Sequence, residues 1–145
     1  MTTSVFDVAK YIAEKTGELT AMKLQKLVYY SQAWNLAWDG EPLFSENFEA
    51  WANGPVVPEL YQRHKGMLKV DASLFNEARS DHIRANAAEN IDKVLSFYGT
   101  KGAFELTHIT HQEKPWLDAR GETPIGVDSN AVITKTSMAE YYASL

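Results

Sequence analysis

Cysteine is absent from the 145-residue chain, which excludes disulfides, thiolate metal sites and a cysteine nucleophile together. Glycine is sparse, with eight residues and no two adjacent, so no glycine-rich loop is present to cradle a phosphate. The nucleophile-elbow pattern G-x-S-x-G is missing as well. No window approaches the roughly 18 uncharged apolar residues that a membrane-spanning helix needs. Residues Met1 to Asp7 carry neither a basic nor an apolar leader region. These absences lead us to expect a soluble, cytoplasmic protein with no membrane partner. Positive charge is also in deficit: 14 Lys and Arg against 19 Asp and Glu leave a net charge of −5. Without a global basic field, nucleic acid is not an expected partner.

What the chain has is aromatic bulk. Six Phe, four Trp and seven Tyr make 12% of it, and 45% of the residues are apolar, enough for a real core and against wholesale disorder. The length suits one domain over residues 1–145. Ser4 and Asp7 form a capping-box pattern ahead of Val5, Val8, Ala9 and Ile12 at helical spacing, predicting a helix over about residues 4–16 that stops at Gly17. Thr20 caps a second helix running to Trp38, with Gly40 and Pro42 closing it. That helix is apolar around most of its circumference, with polar strips only at Gln25, Gln32, Lys23 and Lys26, so it is expected to be central and buried.

After it the pattern changes. A short strand over Phe48–Trp51, a tight turn at Asn53-Gly54-Pro55 and a third helix from Pro58 to near Gly66 are expected. Residues 67–80 read as a connection. Asn86 is the expected cap of a helix ending at Gly99, and Thr100 of another through Ile109. Pro115 opens a helical turn, residues 121–130 form a loop, and Val132-Ile133 make a brief strand. Ser137 with Glu140 caps the last helix. The fold class is therefore mainly α with a small β element, a compact helical domain built round the helix at about residues 20–38.

Candidate chemistry is thin. His108 and His111 are three apart, with Glu113 nearby and Asp128 further on, a spacing that could serve a metal-assisted hydrolase; the plainer reading has His111 at a helix end and His108 on the surface. Glu46, Glu49 and Glu59 flank the turn, but spacing across a turn fixes no distance for acid–base work. Lys23, Lys26, Tyr29, Tyr30 and Trp34 could form a basic-aromatic face for single strands, or simply be core aromatics with lysines reaching out from the helix edge. We take the second reading. No cofactor is expected.

These residues also form a recognisable set. Lys23-Leu24-Gln25-Lys26-Leu27-Val28-Tyr29-Tyr30, Trp34, Pro42-Leu43-Phe44, Ala50-Trp51, Gly54-Pro55-Val56-Val57-Pro58 and Tyr61 resemble the signature of the Panacea family of SocA-like, phage-associated antitoxin domains. Leu106-Thr107, Thr110-His111, Glu113 and Pro115-Trp116 resemble its second block, and Met138 with Tyr141-Tyr142 its end, so the likeness spans about residues 5 to 143. The resemblance implies a non-enzymatic antitoxin that neutralises a cognate protein toxin by direct binding. In the SocA branch it implies an adaptor delivering the toxin to a ClpXP-type protease. Of the motif residues, Lys23, Leu24, Gln25, Lys26, Leu27, Tyr30, Trp34, Trp51, Gly54, Pro55, Tyr61, Thr107, His111 and Pro115 are expected to hold the fold. Because Tyr141-Tyr142 look docked, inhibition is expected through a preformed surface, and Tyr29, Arg63 and Trp116 are the candidate anchors, since Tyr, Arg and Trp dominate such patches.

Overall fold

The computed structural model of the chain describes residues 2–145. Helix α1 (Val5–Thr16) starts as its sequence dictates: Ser4 Oγ accepts from the Asp7 amide while Asp7 accepts from the Ser4 amide, and Gly17 ends it at φ +76°. It buries Val5, Val8, Ala9, Ile12 and Ala13 along one stripe. A two-residue strand β1 (Leu19–Thr20) leads into α2 (Ala21–Asp39), where Thr20 Oγ1 accepts from the Lys23 amide and Gly40 closes the helix in the left-handed region at φ +72°. As expected, α2 is the axis of the molecule. It packs against α1, the β-hairpin, α4 (Ala85–Tyr98), α5 (Ala103–His111) and α7 (Lys135–Ala143).

The hairpin consists of β2 (Phe48–Trp51) and β3 (Gly54–Val56), with Trp51 opposite Gly54, and β5 (Val132–Ile133) adds to the other side of β2. Here the expectation needs correcting. The turn is Ala52-Asn53; Gly54 and Pro55 belong to the strand that follows it, where Gly54 supplies the positive φ (+119°) at its first residue. Pro55 is tolerated because β3 is an edge strand. Helix α3 (Pro58–His64) follows directly.

Residues 67–80 are more than a connection. They contain β4 (Lys69–Val70), paired with β1, and a 3-10 turn at Ala72–Phe75 that packs on α1, with a second turn following at Ser80–His82, and they place Val70, Phe75 and Ala78 in the core. Three cap assignments also move. Helix α4 begins at Ala85 behind Arg84, and Asn86 instead donates to Asp39 Oδ2 at the end of α2. Helix α5 begins behind Gly102 rather than Thr100. Helix α7 is capped by Thr134, whose Oγ1 accepts from the Ser137 amide, because the β5–β2 pairing keeps the chain extended up to Ile133. Helix α6 (Lys114–Arg120) carries Pro115 in its first turn, as its sequence predicts.

The polar residues of α2 are the main surprise. Gln25, Lys26, Gln32 and Asn35 are all buried, not arranged as solvated strips. An amide side chain both donates and accepts, so it can pair with a passing backbone and be buried without loss. Gln32 Oε1 accepts from the Leu43 amide at 2.6 Å and its Nε2 donates to Phe44 O at 2.9 Å. Gln25 Oε1 accepts from the Val57 amide at 3.0 Å, and Asn35 Nδ2 donates to Glu41 O at 2.7 Å. Three amides on one helix thus fix two segments, the connection after α2 and the start of α3. Lys26, which can only donate, has no such arrangement.

Candidate functional site

Lys26 is 1% exposed, yet its ammonium group makes no hydrogen bond and no ion pair. Burial without a counter-charge pushes its pKa down from 10.5 to about 8. It lines a cavity of about 530 Å³ between the start of α2, the hairpin and α3. Trp51 and Tyr61 form an aromatic wall, meeting edge to face with centroids 4.9 Å apart, and Trp51 is steadied by its Nε1 donating to Glu49 at 2.9 Å. His64, packed edge to face on Tyr61 with centroids 5.4 Å apart, is buried, with its Nε2 3.0 Å from the Gln25 amide nitrogen; burial lowers the pKa of the ring. Met67 (44% exposed) and Leu68 (77%) stand at the rim. Gly54 leaves room for the lysine: a Cβ there would lie 2.5 Å from Lys26 Cε and 3.2 Å from Nζ. Asp128 also borders the cavity, but its Oδ1 accepts from the Ala52 amide at 2.7 Å.

One turn further along α2, Tyr30 meets a second buried ionisable group. Glu113, at the α5–α6 junction, receives the hydroxyls of Tyr30 at 2.7 Å and Tyr142 at 2.8 Å, both on Oε1. The Tyr142 hydroxyl is also 3.1 Å from that of Tyr29. Burial raises the Glu113 pKa while the two tyrosine hydrogen bonds oppose that rise. Tyr30 stacks on Tyr98 at 4.0 Å, and burial pushes the Tyr98 pKa up to about 12. This cluster ties α2, α4, α6 and α7 together.

The remaining candidates divide clearly. The set His108, His111 and Glu113 is not brought together: His108 is exposed, His111 stacks on Trp116 at 4.0 Å, and Glu113 is engaged by tyrosines. Among the described residues no group of three or more His, Asp or Glu side chains converges as a metal site would require. Glu46 Oε1 accepts from the Val5 amide at the start of α1, Glu49 holds Trp51, and exposed Glu59 sits in the first turn of α3, so these carboxylates form no acid–base pair. The basic-aromatic face does not exist as a surface, because Tyr29 and Tyr30 are buried and Trp34 is half-buried, donating to the Tyr98 hydroxyl. Lys23 reaches the C-terminal end of α4, donating to Gly99 O at 2.6 Å, which suits the helix dipole. Lys26 departs from the expected outward reach altogether.

Of the three proposed anchors, Tyr29 (1% exposed) and Trp116 (3%) lie inside the molecule and present no surface. Trp116 Nε1 donates to Trp51 O at 2.9 Å. Arg63 alone reaches solvent, pairing with Glu77 and donating to Leu74 O, with its guanidinium 4.5 Å from the Phe6 ring centroid. Leu24, Leu27, Gly54, Pro55 and Pro115 are buried, while Tyr61, Trp51, Thr107 and His111 are partly so. Thr107 Oγ1 donates to Asn53 O at 3.3 Å, linking α5 to the hairpin turn. Sequence reasoning missed two residues. His64 had no signal beyond its place four residues after Leu60 on a short helix. Arg120 is buried and donates to Ala50 O, Pro124 O and Val127 O, anchoring the 121–130 loop to β2.

Comparison with known proteins agrees with the sequence motifs. The profile of the antitoxin SocA-like, Panacea domain matches residues 24–117, the segment that contains Lys26, Trp51, Tyr61, Leu68 and Glu113. Antitoxin SocA of Caulobacter vibrioides (strain NA1000 / CB15N) is 28% identical over 124 residues, covering 75% of this chain and 66% of that protein. No solved structure matches the chain. No helix among the described residues is long and apolar enough to cross a membrane. The chain belongs to the family of SocA-like antitoxins with a Panacea domain.

Proposed function

We propose that the protein is a non-enzymatic antitoxin that neutralises a cognate protein toxin by direct binding through its folded surface. The observation that carries this reading is the family match over residues 24–117, which falls on the elements that build the Lys26 cavity and its apolar rim. The docking of α7 supports a preformed surface: Met138 and Tyr142 are buried against α2 rather than held out as a segment that folds on its target. Among the described residues no group of three or more His, Asp or Glu side chains converges to support the metal-assisted alternative. Arg63, the one anchor candidate that is partly exposed, remains part of the proposed contact surface.

The test is genetic first. The reading frame beside this gene is expressed alone and together with it, and growth is followed. Arrest by the neighbour alone and relief in company, with the two chains co-purifying, is the expected result. Absence of toxicity, or relief without a complex, contradicts direct neutralisation. Relief that disappears in a host lacking ClpXP assigns the chain to the adaptor mechanism instead.

A further inference from the structure

Lys26 is the part of the molecule that the fold does not explain. The other long polar side chains buried on α2, Gln25, Gln32 and Asn35, are each paired with backbone. Lys26 finds no acceptor among the protein's own groups and lines a cavity rather than packed core. An isolated buried ammonium is costly, and such groups concentrate at sites that await a ligand. The neighbouring ionisable groups do not balance it. Asp128 is committed to the Ala52 amide outside ion-pair distance, and the pKa values of His64 and His111 are lowered by burial, which keeps both rings neutral at neutral pH. Gly54 is required where any side chain would displace the ammonium.

We propose that this cavity is a recognition site for a single carboxylate carried beside an apolar side chain on a protein partner, with Lys26 receiving the carboxylate and Trp51, Tyr61, Met67 and Leu68 the apolar neighbour. The identity of the partner as a toxin rests on the antitoxin reading; the chemistry of the site does not. The cavity volume, about 530 Å³, suits one or two side chains. The exposed apolar rim favours a protein over a free ion, since an inorganic anion gains nothing from Met67 and Leu68. The chain's net charge of −5 repels an extended acidic surface, which restricts the ligand to one carboxylate.

The full chain, labelled with 13Cε-lysine, is titrated with N-acetyl-leucine, with N-acetyl-leucinamide and with inorganic phosphate. The expected result is a saturable shift of the Lys26 signal with N-acetyl-leucine in the range of about 1–50 mM, a much weaker response to phosphate, and none with the amide. An equal response to the amide, an equal response to phosphate, or no saturable shift overturns the carboxylate assignment. In a second arm, the co-expressed toxin is bound to wild type, Lys26→Met and Leu68→Asp. Leu68 is exposed, so Leu68→Asp leaves folding intact while opposing a carboxylate. A loss of affinity of about tenfold or more in both variants supports the site; unchanged affinity in both overturns it as a partner contact. If no toxin exists but N-acetyl-leucine still binds at Lys26, the antitoxin reading falls and the carboxylate site stands.

Discussion

Lys26 and Tyr30 are one turn apart on α2, and each leads to a buried charge with the opposite fate. Glu113 is met by two tyrosine hydroxyls and stitched into four helices, whereas Lys26 is met by nothing. Lys26 and Glu113 form no ion pair with each other. The lesson is one of complementarity. A carboxylate can accept from any hydroxyl that reaches it, and tyrosines supply hydroxyls at the end of large apolar rings, so charge and core are built from the same side chains. An ammonium needs acceptors, and the side chains around Lys26 do not provide them. One region is finished by folding; the other is left for a ligand.

The largest expected effect breaks the finished region. Glu113→Leu leaves the Tyr30 hydroxyl buried without its acceptor and Tyr142 with only the Tyr29 hydroxyl, and should cost about 2–3 kcal/mol, lowering Tm by several degrees in thermal unfolding followed by circular dichroism. The second effect has the opposite sign. Lys26→Met keeps the stem and removes the lone charge; the depression of its pKa from 10.5 to about 8 corresponds to on the order of 3 kcal/mol, so the variant should be more stable than wild type. Equal destabilisation by both substitutions would erase the contrast.

Gly54→Ala joins the two arguments. It places a Cβ 2.5 Å from Lys26 Cε at a φ of +119°, and should cost about 2 kcal/mol through steric and backbone strain. In the Lys26→Ala background the steric part should vanish, leaving the backbone part, as a double-mutant cycle in urea would show.

Smaller and more diagnostic are the pH dependences. The folded pKa of Lys26 lies below its unfolded value, so its destabilising contribution is complete below pH 8 and fades as pH rises toward 10.5. The stability advantage of Lys26→Met over wild type should shrink across that window. Glu113 behaves in the reverse sense: its folded pKa is raised, so its contribution is full below about 4.5 and declines as pH climbs through the folded value. Wild type should therefore lose stability relative to Glu113→Gln on leaving acid. The smallest effect is at Arg63, whose pair with Glu77 is open to solvent and screened by it; Arg63→Ala should leave Tm nearly unchanged while testing the proposed contact surface in a binding assay.

Much of this architecture is visible in the sequence where local chemistry decides. Ser4, Thr20, Gly17 and Gly40 mark α1 and α2 correctly because a cap is a contact between residues three or four apart. The assignments at Asn86 and Ser137 fail because distant partners win: Asp39 takes Asn86, and β2 holds the chain extended up to Ile133. Residues 67–80 lack periodicity, since their core residues Val70, Phe75 and Ala78 come from a bridge and single turns rather than from a helix. The site is half legible. Its residues stand in the family motif, but polarity suggested that Gln25 and Lys26 face water, and nothing local reveals that the hairpin and α3 close over them.

The central claim is that Lys26 is a charge held in reserve for a partner, and its titration tests this most directly. With 13Cε-lysine label, the free protein should show one lysine titrating near pH 8, absent in Lys26→Met, and that signal should return to the ordinary lysine range above 10 when the partner is bound. A Lys26 that titrates like the surface lysines in the free protein, or one whose titration the bound partner leaves unmoved, would contradict the account.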